Sequence, residues 1–258
     1  QIPSTCDCLV LGCTHLIKIK DIFKKRLDLF VLSQDELFIE LFNKNNYIIK
    51  DFTEICDVYI INTCTVTNTA DIKSKKMIKA AIKRNPNACV VAMGCFIEAN
   101  KDYEIDGLDI TIGNKDKSKI IELLDEYFEK KETLKRLYKE EKTTFEDMYI
   151  TDFPGRTRAF VKIQDGCDNF CSYCIIPFVR GKCRSKDYDT VIKEVTELVN
   201  NGYKEVVLTG IHTGHYGADI NYSFSDLLKR LVKIKGLERL RISSIEITEI
   251  NDDVLDVL

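Results

Sequence analysis

Short apolar runs alternate along this chain with longer stretches whose apolar residues recur every three or four positions. Cys8-Leu9-Val10-Leu11 reads as a strand and residues 17–25 as the helix after it. Val58-Tyr59-Ile60-Ile61 reads as a second strand, followed by a helix over 71–83. Ala88-Cys89-Val90-Val91-Ala92-Met93 and Leu108-Asp109-Ile110-Thr111-Ile112 are two more strands, and a helix over 116–129 closes this half. Residues 130–147, dense in Lys, Glu and Thr, read as a charged helix extension or linker, and Phe153-Pro154-Gly155 punctuates the chain after them. The alternation then resumes with strand 159–163, helix 188–200, strand 205–209, helix 224–234, strand 239–243 and a helix beginning near 253. Strands alternating with helices predict an α/β protein with parallel sheets covered by helices. Four segments are expected: a strand–helix opening over 1–33, an α/β domain over 34–130, a charged linker over 131–152 and a second β/α region over 153–258. That last region holds about three β/α units, whereas a closed eightfold barrel takes ~250 residues, so a partial barrel is expected.

The composition, 31% charged and 45% hydrophobic over 258 residues, excludes a disordered chain. No run reaches the ~18 apolar residues of a membrane-spanning helix. The opening Gln1-Ile2-Pro3-Ser4-Thr5-Cys6 lacks the basic and apolar regions of a signal peptide, and Gln1 in place of a Met leaves room for an earlier start. These features predict a cytoplasmic protein. The net charge of −3 means that any nucleic-acid partner must be held by a local patch or another module. Eleven cysteines is an odd count in a long chain, which points to metal-binding or catalytic thiols plus some core cysteines rather than a disulfide framework.

The strongest chemical signal is Cys167-Asp168-Asn169-Phe170-Cys171-Ser172-Tyr173-Cys174, a C-x3-C-x2-C spacing directly after a predicted strand. Three thiolates on one short loop hold three irons of a four-iron cluster and leave the fourth open to a small molecule, unlike the four-thiolate ferredoxin sites. A zinc site completed by Cys183, in a non-catalytic binding module, is the rival reading, although zinc sites usually pair two C-x2-C units.

The triplet, with an aromatic residue before its last cysteine, resembles the signature of radical S-adenosylmethionine enzymes. Ile163-Gln164-Asp165-Gly166 before it, and Ile175-Ile176-Pro177-Phe178-Val179-Arg180-Gly181 and Arg184-Ser185 after it, resemble the tRNA methylthiotransferases. So do Leu208-Thr209-Gly210-Ile211-His212-Thr213-Gly214 and Arg241-Ile242-Ser243-Ser244-Ile245-Glu246, which look most like the subgroup acting on threonylcarbamoyladenosine. The resemblance implies a [4Fe-4S] cluster on Cys167, Cys171 and Cys174 that binds S-adenosylmethionine. It implies reductive cleavage to a 5′-deoxyadenosyl radical, and methylthiolation at C2 of an adenosine beside the tRNA anticodon. It places Tyr173, Gly210 and Ile211 along the cofactor and makes Glu246 a ribose or amino-acid contact. It also implies tRNA and an electron donor such as a flavodoxin or ferredoxin as partners, and an incomplete radical domain whose activity in this chain is in doubt.

The same resemblance implies a second [4Fe-4S] cluster held by three cysteines of the first domain. Cys64, in Asn62-Thr63-Cys64-Thr65, and Cys95, in Met93-Gly94-Cys95, match two of them, and loops after parallel strands converge at one sheet edge. In gapless register the third falls at Asp28, while Leu11-Gly12-Cys13 lies 51 residues before Cys64. Cys56 precedes its strand and lies on the wrong side. Leu9-Val10-Leu11-Gly12-Cys13-Thr14-His15 also resembles the late catalytic segment of glutamate racemases, where such a thiol is an acid/base group. An alternative is therefore a remnant racemase-type site at Cys13, or simply a strand end with a buried Cys.

His212 and His215 share the loop 210–217, but no third metal ligand is evident in sequence. Lys76, Lys79 and Lys83 share one helix face, as a tRNA contact or as a solvated surface. Cys183 matches no family ligand.

Overall fold

A computed structural model describes residues 9–13, 41, 42, 45, 47–137, 145, 153 and 157–257. The predicted helix over 17–25, together with His15 and Asp28, lies outside the described residues. The described residues form two compact units, one of residues up to 137 with Tyr173–Val179, the other of residues 145–172 with 180–257.

The first unit is built on a five-stranded sheet in the order β1-β2-β3-β4-β5: Leu9–Cys13, Val58–Thr63, Cys89–Gly94, Ile110–Ile112 and Leu134–Arg136. All neighbours are parallel. β2, β3 and β4 are buried almost throughout, as strands with helices on both faces must be, which explains their unbroken apolar sequence. Helix α1, Asn68–Arg84, begins where the Thr67 side chain accepts the Ala70 N–H at 3.1 Å, and it carries Asp71 in its first turn and Lys83 and Arg84 in its last. It buries Ala70, Ser74, Met77, Ile78 and Ala81, a stripe at helical spacing, in a core with Tyr59, Ile61, Val90 and Phe96. Helix α2, Cys95–Ala99, follows β3 without a loop, and α3, Ile120–Lys130, follows a 3-10 turn at Lys117–Lys119.

β5 corrects an expectation, because the segment read as helix extension or linker supplies the fifth strand. Leu134 is buried, and Arg136 Nη2 lies 2.7 Å from Glu126 Oε2 on α3. A short edge strand tolerates a polar sequence because pairing and one buried side chain outweigh local propensity.

The second unit carries a parallel three-stranded sheet in the order β10-β9-β6: Arg239–Ile242, Glu205–Thr209 and Arg158–Lys162. β7, Gln164–Asp165, pairs antiparallel with β8, Arg184–Ser185. Helix α4, Ile176–Arg180, whose first four residues count with the first unit, precedes β8 in the chain; α5, Tyr188–Asn200, runs between β8 and β9; and α6, Phe224–Leu231, runs between β9 and β10. A four-residue helix α7, Asp252–Leu255, ends the described chain. Asp187 caps α5, and a Ser223–Asp226 capping box opens α6. Lys186 and Glu194 form a buried pair at 2.6 Å beneath α5. Three parallel strands accord with the three β/α units read from the sequence.

Candidate functional site

In the second unit the chain leaves β6 through β7 and enters the cysteine loop. Cys167, Cys171 and Cys174 are half-buried thiols. The Cys167 N–H donates to the Gly181 carbonyl at 3.1 Å, and Asp168 accepts the Cys183 N–H at 3.0 Å, so the start of the loop is tied back to the chain before β8. Tyr173 is 90% exposed.

Two residues before Cys167 organise this end of the sheet. Gln164 is wholly buried. Its Oε1 accepts the N–H groups of Ile211 at 2.9 Å and His212 at 2.8 Å, and its Nε2 donates to the Gly166 carbonyl at 2.7 Å and reaches the Cys183 sulfur at 3.2 Å. A single amide thus joins the start of the cysteine loop to the loop after β9, where Gly210 abuts it. Asp165 faces Lys162 and Arg180, each at 3.0 Å, and Arg184 at 3.5 Å. Burial pushes its carboxyl up, but the three cations override that and hold it well below the usual carboxylate range. Neither residue was given a role from sequence, although both stand in the quoted motif; only their partners reveal one.

Burial pushes the Cys183 thiol up to about 11, so it stays protonated near neutral pH. Its sulfur lies 3.2 Å from the Gln164 Nε2 donor and is a partnered, buried thiol.

The loop after β9 brings His212 and His215 together across a 3-10 turn, with ring centroids 4.0 Å apart. Glu249, from the 3-10 turn after β10, meets both: its Oε1 lies 2.5 Å from His212 Nε2 and 3.4 Å from His215 Nε2. The sequence offered no third partner for these histidines; the structure supplies one. Glu246 is exposed, with a carboxylate oxygen 3.8 Å from His212 Nε2.

In the first unit the cysteines collect at the carboxyl edge of the sheet. β2 ends at Thr63 and β3 at Gly94, paired in register, so Cys64 and Cys95 are the next residues of neighbouring chains. Gly94 has φ +104°, and a Cβ there would come within 2.7 Å of the Thr63 carbonyl oxygen, so only glycine lets the two strand ends run this close. Ser74 of α1 accepts the Cys64 N–H at 3.3 Å and donates to its carbonyl at 3.0 Å. Cys95 is buried, with the Asn114 amide nitrogen 3.4 Å from its sulfur. On the other side of β2, β1 pairs in register from Leu9 against Val58 to Cys13 against Asn62. The backbone of Cys13 therefore stands at the same carboxyl edge. Cys56 precedes β2 at the opposite edge and is buried there. Lys75, Lys76, Lys79 and Lys83 are exposed on α1.

Residues 31–113 match the uncharacterized protein family UPF0004, and residues 161–258 match the radical SAM superfamily. The chain is 44% identical over 230 residues to the threonylcarbamoyladenosine tRNA methylthiotransferase MtaB of Bacillus subtilis, covering 87% of this chain and 51% of that protein. It is 38% identical to the MtaB of Aquifex aeolicus, covering 86% and 55%. A tRNA-2-methylthio-N(6)-dimethylallyladenosine synthase of Clostridium botulinum is 33% identical, covering 84% and 50%. The chain thus spans about half the length of the curated relatives it matches. Among solved structures, the radical S-adenosylmethionine methyltransferase TsrM of Kitasatospora setae shares the fold with a TM-score of 0.61 at 13% identity, over 97% of this chain and 57% of that one. No helix among the described residues is long and apolar enough to cross a membrane.

Proposed function

Because this chain belongs to the radical S-adenosylmethionine methylthiotransferases, we propose that it takes part in attaching a methylthio group to C2 of threonylcarbamoyladenosine in tRNA. The observation that carries this reading is the half-buried thiol triplet directly after β7, joined through Gln164 to the loop after β9. Three soft thiolates on one short loop are a donor set that fits a four-iron cluster with one open iron. Cys167, Cys171 and Cys174 would hold it, and the cluster's contribution when bound is one-electron reduction of S-adenosylmethionine to the adenosyl radical.

The protein's own part is positioning. Gln164 fixes the backbone at Ile211 and His212, which sets Gly210 and Ile211 beside the cofactor. Arg180, Arg184 and Lys162, gathered on Asp165, anchor the chain that enters the thiol loop. Tyr173 and Glu246, both exposed, are available to the cofactor or the nucleoside. In the first unit, Cys64 and Cys95 would hold the second cluster. The backbone register of β1 supports Cys13 as the third ligand, in place of the gapless position Asp28. The partners under this reading are tRNA, which the exposed lysines of α1 would help to hold in the cytoplasm, and a flavodoxin or ferredoxin as electron donor.

The test is anaerobic reconstitution with iron and sulfide, then S-adenosylmethionine. Replacing Cys167, Cys171 and Cys174 by Ala should abolish one cluster and the spectral response to S-adenosylmethionine while sparing the other. Replacing Cys64 and Cys95 should do the reverse. Mass spectrometry of digested tRNA reads the methylthio product. Iron content unchanged by the triple replacement would refute the assignment.

A further inference from the structure

We propose that His212, His215 and Glu249 form a three-ligand site for a divalent first-row transition-metal cation of the zinc type, separate from the cysteine thiols. Their ligand atoms lie within 4.8 Å of one another. Two imidazoles and one carboxylate are a donor set that zinc and non-haem iron(II) share, and such a site leaves room for water or a further carboxylate.

The local structure builds this arrangement. The His215 N–H donates to the His212 carbonyl at 3.0 Å, closing a 3-10 turn, and residues three apart eclipse on such a turn, so both rings emerge on one side. The Thr213 N–H donates to the Ser244 carbonyl at 3.0 Å, which ties this turn to the chain after β10. There the Glu249 Oε2 accepts the Glu246 N–H at 2.9 Å, and this bond turns Oε1 toward the histidines. Gly214 makes the approach feasible, since a Cβ at this position would collide with the Glu249 carboxylate.

The second observation is the state of these atoms. The side chains of His212 and Glu249 are 6% and 8% exposed, yet His212 Nε2 and Glu249 Oε1, although 2.5 Å apart, do not meet in hydrogen-bond geometry and have no other hydrogen-bond partner among the described residues. Buried polar atoms are paired in nearly all proteins, and an exception asks for an ion or a ligand. Their 2.5 Å separation is tighter than an ordinary N–H···O bond, and a tetrahedral zinc with bonds near 2.1 Å needs its ligands about 3.4 Å apart. Opening that pair by under ~1 Å, with His215 already at 3.4 Å, admits the cation. The Asn169 side chain lies 3.5 Å from His212 Nδ1; with its carbonyl turned to the ring it accepts that proton and leaves Nε2 to the metal. Glu246, 3.8 Å from His212 Nε2, is the nearest further carboxylate. Such a cation would staple the loop after β9 to the turn after β10.

The chain has three histidines, so isotope labelling at histidine reads the site without interference from zinc bound to thiols. In metal-stripped protein, Zn²⁺ titrated past the amount the thiols take up should move the imidazole nitrogen resonances of His212 and His215 together. His215→Ala, which removes a half-buried side chain, should abolish the His212 response and weaken binding at this site at least ~10-fold. Glu249→Gln should weaken it comparably, with the amide spectrum checking the fold of both variants. Zn²⁺ that leaves the two resonances unmoved in the wild-type chain overturns the proposal, as does a His212 response that survives in folded His215→Ala. Neither result depends on iron loading, so the cluster assignment stands or falls on its own.

Discussion

The cysteines after β2 and β3 and those of the loop after β7 are held by opposite means. Cys167, Cys171 and Cys174 are neighbours in the chain, and their loop is anchored by side chains, Gln164 and the Asp165 cation group above all. Cys64 and Cys95 are 31 residues apart and are neighbours only because β2 and β3 run parallel in register, with Gly94 allowing their ends to close. Backbone pairing therefore builds one site and buried polar contacts build the other. The two should fail under different substitutions.

The largest effect is expected at Asp165. Asp165→Ala strands three cations, one of them, Arg184, deeply buried, and should cost the second unit about 4 kcal/mol in urea denaturation, with iron lost from the triplet and retained at Cys64 and Cys95. Its pH dependence has a defined sign. A carboxyl held low in the native state contributes fully above the unfolded value of about 3.9 and loses that contribution as pH falls toward the native value. The gap between wild type and variant should therefore be constant near neutrality and shrink in acid.

Gln164→Leu comes next. It leaves the Ile211 and His212 N–H groups without their acceptor and should cost about 3 kcal/mol. Hydrogen exchange should speed up in the loop after β9, while β2 and β3 stay protected. Gly94→Ala is the mirror experiment. A left-handed φ and a 2.7 Å approach to the Thr63 carbonyl should cost about 2 kcal/mol, loosen the first unit and lower its iron content without touching the triplet. The smallest effect is expected from Cys183→Ala, which should keep full iron loading. In the apo chain Cys183 should alkylate more slowly at pH 8 than the half-buried Cys167, Cys171 and Cys174, its rate rising as pH approaches about 11. Iron loss in Cys183→Ala would revive the four-thiolate reading and erase the contrast between the two sites.

The alternation of elements was legible because periodicity is a local property. α5 and β9 fall on the expected residues, and β2, β3, α1, α6 and β10 within a few of them. The C-x3-C-x2-C loop was legible for the same reason, since its three thiols are carried on eight consecutive residues. β5 escaped because its three residues are strand only by virtue of pairing with β4, against a polar local sequence. Cys13 was out of register by chain counting, yet its backbone stands at the edge it shares with Cys64 and Cys95, because hydrogen-bonded register rather than residue spacing aligns strands. Glu249 lies 34 residues beyond His215, one carboxylate among 41 acidic residues, and no pattern marks it until the turn after β10 carries it to the two rings. The amino-acid order thus dictated the elements and the chain-local thiol triplet, because short-range sterics and hydrophobic spacing act within a few residues. Strand register, the buried partners of Gln164 and Asp165 and the meeting of His212, His215 and Glu249 came from packing, because which distant polar groups share a desolvated space is set only when the sheets and loops close around them.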